Sequence, residues 1–294
     1  MSAIAFWGAV ELGLVYGFVA LGVFLAFRVL DFPDLTVDGS FPLGAALAAV
    51  AITTGWDPWL ACVIAAVGGA ACGLVTAFLN VRFGILNLLA SILTMIALFS
   101  VNLRVMGRPN MAVLNQETVV TPFYDLGLPD HLVRPLVLTI LILATVVLLA
   151  RFLGSDFGLA MRAAGANARM ARANGVDVGR QVYVGMALSN ALTGLGGAFF
   201  AQIAGFADVT SGVGTIVVGL ASVIVGETLF RTRSMFIALL ACVIGSVIYR
   251  VAVQLALSAD LFFLKASDLN LVTAILVALA LILPKLRAGK KVVQ

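Results

Sequence analysis

Residues 136–153 read LVLTILILATVVLLARFL, an apolar run whose one charged residue, Arg151, stands near its end. A helix needs about 20 apolar residues to cross the hydrocarbon core of a bilayer, and this run approaches that length. The whole chain has the same character, since 62% of its 294 residues are hydrophobic and 11% are charged. Ordinary soluble domains carry about 25% charged residues. The sequence therefore predicts an integral membrane protein, because a soluble fold could not bury so much apolar surface.

Seven further apolar segments resemble this one. They run approximately over residues 8–27, 59–79, 85–102, 182–203, 213–230, 235–257 and 269–286. The stretch 41–54 is apolar but short, so it is either a tilted crossing or half of a broken helix, which membranes tolerate where protein or a cavity surrounds the exposed backbone. The predicted fold is all-α: a single polytopic transmembrane domain over residues 1–294, with about 8–10 spans and a short or broken helix near residues 34–54.

Basic residues predict the orientation through the positive-inside rule. Five arginines lie between positions 151 and 180, and four lysines and arginines lie between positions 285 and 291. Four spans separate these two regions, so both are assigned to the cytoplasm, and residues 103–135 fall outside. If residues 41–54 cross the membrane fully, the N-terminus is predicted to be outside. If that stretch is re-entrant, the N-terminus is predicted to be on the cytoplasmic side. No Lys or Arg precedes Arg28, so the first span is expected to remain in the mature protein and not to be a cleaved signal peptide.

The sequence lacks the motifs of common enzymes and cofactor sites. It has no GxSxG, no HExxH and no Cys/His cluster, and its three cysteines lie in apolar runs without CxxC spacing. We therefore expect no catalytic residue and no metal site. The phosphate-binding loop G-x-x-x-x-G-K-S/T is also missing, so ATP hydrolysis must come from another polypeptide. The formal net charge of +4 is clustered between spans, which favours membrane topology over nucleic-acid binding as its cause.

The largest cytoplasmic connection, residues 154–181, predicts a small amphipathic helical hairpin. Its centre is rich in Ala, Arg and Met, which favour helices. Asn167 is placed to cap a short helix, Gly175 is placed at the end of that helix, and Gly165 is expected to break the segment between two helices. A basic surface helix held by lipid head groups is the alternative interpretation.

This connection resembles the coupling loop of the permeases of bacterial binding-protein-dependent ABC importers, in the branched-chain amino acid and ribose-type superfamily. The family pattern Gly-x-x-x-Arg-Ala-x-Gly-x-Asn begins here at Gly158. In the family the loop docks in a groove of the ATPase subunit. The resemblance implies ATPase coupling for Arg162, Ala163, Gly165, Asn167, Arg169, Arg172 and Gly175.

A second resemblance lies in residues 34–40, DLTVDGS, which are similar to an Asp-Leu-Ser-Val-Gly-Ser element of sugar-type relatives with one residue inserted. Residues 89–96 and 266–275 resemble the branch described as tryptophan/tyrosine or other amino acid permeases. Together these similarities cover nearly the whole chain. They imply an ATP-driven importer of a small polar solute, with an amino acid as the narrower expectation and an aromatic one as the narrowest.

The resemblance also implies the partners and the location. We expect two cytoplasmic ATPase subunits, which would bind ATP and Mg²⁺, a second permease copy forming a homodimer, and an extracytoplasmic solute-binding protein. No cofactor is expected in this chain. The expected location is the bacterial cytoplasmic (inner) membrane, with several crossings and a cytoplasmic C-terminus.

Two polar features inside the apolar segments are candidates for the translocation path. In residues 34–40, Ser40 could be an ordinary helix N-cap followed by Pro42 in the first turn, or the element could be a broken helix that lines the path. A helical stripe of polar residues on the span from residue 85 is typical of interhelical hydrogen bonding, with pore lining as the alternative. The same two interpretations apply to Ser189, Asn190 and Thr193. The predicted path residues are Asp34, Thr36, Asp38, Ser40, Asn87, Ser91 and Thr94.

Arg250 is the one basic residue well inside a predicted span. An unpaired charge there is costly, so Arg250 should snorkel outward or pair with Glu11 or Asp260. Glu227 is expected to form a helix-end ion pair with Arg231, four residues later.

Two other classes of function compete with the importer. An ion-coupled secondary transporter should show membrane-embedded carboxylates and inverted repeats, and only the cluster Asp31, Asp34 and Asp38 points to it. A non-transporting membrane scaffold is the second rival, and vesicle uptake with and without ATP and a neighbouring ATPase would separate the three classes.

Overall fold

The structure is a computed structural model that describes residues 3–126, 129–230 and 234–258. Within these ranges the chain forms ten α-helices and two short strands. The helices are α1 (Ala3–Val23), α2 (Val37–Thr53), α3 (Pro58–Phe83), α4 (Asn87–Met106), α5 (Asp130–Gly154), α6 (Asp156–Ala166), α7 (Ala168–Ala173), α8 (Val178–Ala204), α9 (Thr215–Leu229) and α10 (Met235–Ser258). Strands β1 (Asn110–Ala112) and β2 (Phe206–Asp208) pair antiparallel. A π-helical turn, Phe24–Val29, continues α1, and 3-10 turns cover Thr121–Leu126 and Val209–Gly212.

Seven helical segments of the described chain are long and apolar enough to cross a membrane. They are Ile4–Val29, Pro58–Phe83, Asn87–Met106, Leu132–Gly154, Val178–Ala204, Val209–Leu229 and Met235–Ala256. This confirms the predicted polytopic all-α bundle, and the hydrophobic residues that drive it are the apolar runs of the sequence. The predicted span 269–286 lies outside the described residues.

The short apolar stretch is the helix α2, which begins earlier than the sequence predicted. The Thr36 carbonyl already accepts hydrogen bonds from the amides of Gly39 and Ser40, at 2.9 and 2.8 Å. The prediction of Ser40 as N-cap is therefore wrong: Thr36 occupies that position, and Pro42 lies inside the helix. Pro42 cannot donate to the Asp38 carbonyl. Gly212 approaches that carbonyl so closely that a Cβ there would lie 2.0 Å from its oxygen.

The extended segment 31–35 and α2 together lead from one side of the bundle to the other, as the two halves of a broken helix do. The π-helical turn ends at Val29 beside the 154–181 connection, which we call the inner side. The chain then returns into the bundle without regular structure through residues 31–35, with Asp31 in the left-handed region at φ 54°. It forms α2 and reaches the opposite, outer side, where Asp57 caps the start of α3. The start of α1 thus lies on the outer side, the same side as the start of α3.

Helix α8 is the centre of the bundle, packed against α1, α2 and α3. Glycines allow this close packing. A Cβ on Gly44 of α2 would lie 2.0 Å from the Gly194 oxygen of α8, and one on Gly69 of α3 would lie 2.2 Å from the Asn190 oxygen. Small residues at these positions let the helix backbones approach closely, which is how helices associate when lipid surrounds them.

Candidate functional site: an inner-side hairpin and a buried polar cluster

The inner-side hairpin consists of α6 and α7. Asn167 joins them in an extended conformation, and its Oδ1 accepts hydrogen bonds from the amides of Arg169 and Met170 at 3.1 and 3.0 Å. Gly175 follows the C-terminus of α7 with φ 82°. These two positions confirm the capping roles predicted from the sequence. The prediction for Gly165 is wrong, because it lies inside α6 and the break falls at Asn167, whose side chain can cap the second helix.

Gly165 has a different structural role, which is contact with the end of the first span. A Cβ at Gly165 would lie 2.0 Å from the carbonyl oxygen of Val29 and 3.0 Å from the carbonyl carbon of Leu30. The Leu30 side chain in turn packs on α8, where a Cβ at Gly185 would lie 2.2 Å from its Cδ1. The hairpin therefore rests directly on the backbone that leads into residues 31–36.

The hairpin has a buried face and an exposed face. Ala164, Ala171 and Val178 form a small apolar cluster beneath it, while two large apolar side chains point to solvent, Met170 at 66% and Leu159 at 49% exposure. Of the predicted coupling residues, Gly165 is half-buried, and the exposed ones are Arg162, Ala163, Asn167, Arg169, Arg172 and Gly175. Exposed apolar side chains among arginines are typical of a protein interface.

A cavity of about 620 Å³ opens between this hairpin and the inner ends of α3 and α4. Its polar lining includes Asp31, Asn80, Asn87, Arg169 and Arg172. Asn80 of α3 donates to Asn87 Oδ1 of α4 at 2.6 Å. The cavity thus reaches the end of the polar stripe that the sequence predicted on α4.

A polar cluster lies deeper in the bundle, around Asp34. Asp34 Oδ1 accepts a hydrogen bond from the Thr36 amide at 2.8 Å, and Oδ2 accepts one from Asn190 Nδ2 at 2.7 Å. Ser40 Oγ donates to Asn190 Oδ1 at 2.8 Å. All four residues are 0% exposed. Asn190 stands near the middle of α8, so the cluster lies deep between the two ends of that helix.

Threonines continue the cluster toward the cavity. The hydroxyl oxygens of Thr36 and Thr76 are 2.7 Å apart, and Thr76 Oγ1 donates to Thr94 Oγ1 at 2.9 Å. Ser91 is buried and donates to a carbonyl of its own helix. The contact between Thr76 and Thr94 agrees with the interhelical hydrogen bonding proposed for the stripe, whereas the Ser91 contact lies within α4, and pore lining stays a prediction. Thr76 was not predicted, although a hydroxyl inside an apolar span is the signal that could have found it.

Asp38 is set apart from this cluster and faces α9. Its Oδ1 accepts from the Ile216 amide at 2.7 Å and its Oδ2 from the Gly214 amide at 3.2 Å. The carboxylate therefore caps the N-terminus of α9, where free amides and the helix dipole favour negative charge. This contact joins the first turn of α2 to the first turn of α9.

The predictions for the charged residues Arg250 and Glu227 have different outcomes. The guanidinium carbon of Arg250 lies 4.0 Å from the ring centroid of Tyr16, so a cation–π contact accompanies this charge inside the bundle. Of its two predicted partners, Glu11 forms no ion pair with Arg250 in the described part of the chain, and Asp260 lies outside the described residues. Glu227 forms an ion pair with Arg28 at the inner side, and its predicted partner Arg231 lies outside the described residues.

Comparison with known proteins identifies relatives along almost the whole chain. Residues 8–284 match the family described as "Branched-chain amino acid transport system / permease component". The chain is 35% identical over 265 residues to a tyrosine transport system permease protein of Clostridioides difficile (strain R20291), covering 90% of this chain and 86% of that protein. It is 34% identical over 257 residues to an uncharacterised protein of Rickettsia prowazekii (strain Madrid E), covering 85% and 88%.

One solved structure is similar in fold. It is described as PsaBC from Streptococcus pneumoniae in complex with Fab, and it matches with a TM-score of 0.52 and 17% identity, over 94% of this chain and 89% of that one. At this identity the match concerns the fold alone.

Proposed function

Because the chain belongs to the family of branched-chain amino acid transport system permease components, we propose that it is the membrane-spanning subunit of an ATP-driven importer. The solute is a small polar molecule, an amino acid, and the tyrosine transport permease among its relatives supports an aromatic one. The location is a bacterial cytoplasmic membrane. The observation that carries the proposal is the exposed hairpin seated on Val29.

The ATPase subunit docks on the exposed face of α6 and α7. Arg169 and Arg172 supply positive charge, and the exposed Met170 and Leu159 supply the apolar centre that a specific interface needs. Two ATPase copies bind ATP and Mg²⁺, since this chain has no phosphate-binding loop. Movement of the ATPases is therefore delivered to this chain through the hairpin.

The contact at Gly165 passes this movement into the bundle. Because α6 abuts the backbone of Val29 and Leu30, a shift of the hairpin displaces residues 31–36, which carry Asp34 and Thr36. The polar cluster forms the deep part of the translocation path, and the inner cavity is the exit toward the cytoplasm. A packed contact with two arrangements is the kind of element that transmits coupling between sites.

The remaining partners follow from the same assembly. A second copy of this chain completes the pathway as a homodimer, with an interface of apolar, small-residue helix faces. A solute-binding protein delivers the solute at the outer side. The N-terminus lies outside and the C-terminus in the cytoplasm, as the positive-inside rule predicts.

Uptake by reconstituted vesicles tests the proposal. Vesicles that hold this chain with its neighbouring ATPase and the loaded binding protein should accumulate solute when ATP is supplied to the ATPase side, and should stop when the ATPase is omitted. Uptake that follows an ion gradient without the ATPase would instead assign the chain to ion-coupled transporters. If no uptake is measured under either condition, the chain would instead be assigned to non-transporting membrane scaffolds.

A further inference from the structure

Asp34 is a fully buried carboxylate without a cationic partner in the described ranges. It is 0% exposed, and its two oxygens accept from neutral groups, the Thr36 amide and the Asn190 side chain. The ion pair between Arg28 and Glu227 lies at the inner side and does not involve Asp34. An ionised carboxylate in a dry interior is costly unless a positive group compensates it.

Two other acids of the bundle are compensated within the chain. Asp38 caps the N-terminus of the 15-residue helix α9, and Glu227 pairs with Arg28. Asp34 has no ion-pair partner in the described ranges; its Oδ1 accepts from the amide of Thr36, the N-cap of α2, and it stands on an extended segment near the middle of α8. In membrane transporters, irregular backbone and buried charge at this depth occur where a solute or ion binds.

The groups around Asp34 match the hydrogen-bonding needs of one ligand group in particular. A primary ammonium has three N–H donors and no acceptor. Asp34 offers a carboxylate, and Ser40, Thr36 and Thr76 offer hydroxyl oxygens within the same hydrogen-bonded network. A solute carboxylate would instead meet the negative charge of Asp34.

We propose that Asp34 binds the positively charged amino group of the transported solute, and that the solute class is therefore amines and zwitterionic amino acids. The inference rests on the proposed function in so far as the polar cluster lies on the solute path. It adds a recognition element inside the membrane subunit, in addition to the selection made by the binding protein.

Direct binding to the full-length chain in lipid nanodiscs tests this without any ATPase. The probes are radiolabelled L-tyrosine, tyramine, which keeps the ammonium, and hydroxyphenylpropionate, which keeps the carboxylate. Tyramine should displace tyrosine and hydroxyphenylpropionate should not. Asp34→Asn keeps the side-chain size and removes the charge, so the dissociation constant should rise at least about tenfold, with partial recovery in Asp34→Glu. Asp57→Asn, which changes an exposed acid and preserves a helix cap, is the matched control.

Three results would overturn the inference. They are wild-type affinity in Asp34→Asn, equal displacement by hydroxyphenylpropionate and tyramine, and the lack of saturable binding of either amine in the millimolar range. The first would show that the charge of Asp34 takes no part in solute binding. If binding depends on Asp34 but ATP-driven uptake is not observed, the importer function is contradicted and the Asp34 site is not. If ATP-driven uptake is observed and Asp34→Asn does not change it, the Asp34 site is contradicted and the importer function is not.

Discussion

Replacing Gly165 with alanine adds one methyl group at the contact between the hairpin and the first span. The new Cβ would lie 2.0 Å from the Val29 oxygen, whereas ordinary contact begins near 3.4 Å. The difference, 3.4 − 2.0, means that α6 must move away from Val29 by about 1.4 Å. The neighbouring atoms are backbone, so they cannot rotate out of the way. Overpacking of a tight contact costs about 1–3 kcal/mol.

Gly165→Ala is expected to weaken the coupling between ATP hydrolysis and solute transport, while the chain still assembles with the ATPase. A free-energy change of 1–3 kcal/mol at a contact that couples two sites corresponds to roughly a 5–150-fold change in that coupling. The amount of solute transported per ATP hydrolysed should therefore fall at least about fivefold. Affinity for the ATPase should change little, since Arg162, Arg169 and Arg172 remain exposed. Uptake, hydrolysis and ATPase binding are measured side by side on the same reconstituted preparation.

Gly154→Ala is the matched control, because Gly154 ends α5 and a Cβ added there would meet no other atom within 4 Å. Both changes raise helix propensity by about the same amount, roughly 1 kcal/mol, so a difference between them isolates the contact with Val29. Equal coupling ratios in the two variants would refute the relay through Gly165.

Three further predictions use other parts of the structure. Replacing Arg169 and Arg172 with glutamate should weaken ATPase binding about tenfold or more, while the chain still inserts in the membrane. Unchanged binding in a pull-down titration would show that the hairpin is a surface helix and not a docking site. Asp38→Ala should destabilise the bundle by about 1 kcal/mol through loss of the α9 cap, with a smaller effect in Asp38→Asn, and equal thermal melting of both in detergent would contradict the capping role. A cysteine at Ala3 should react with an impermeant reagent added to intact cells; protection of that position would mean that residues 31–53 do not complete a crossing.

The sequence by itself determined the properties that depend on neighbours along the chain. Apolar runs long enough to cross a bilayer identified the membrane bundle, because a span is set by its own length and hydrophobicity. The caps at Asn167 and Gly175 were predictable for the same reason, since a cap is a contact within a few residues. The motifs around Gly158 and residues 34–40 pointed to the permease family.

Only the tertiary structure decided which residues meet across the bundle. Asp34 and Asn190 are hydrogen-bonded although they are 156 positions apart, and Glu227 pairs with Arg28, 199 positions away. The spacing at Gly165 suggested a helix break, but the packing of α6 on Val29 requires a glycine there for close approach. Helix periodicity sets which residues share a face, whereas the partner of that face depends on how all the helices pack together, and no local pattern in the chain encodes that arrangement.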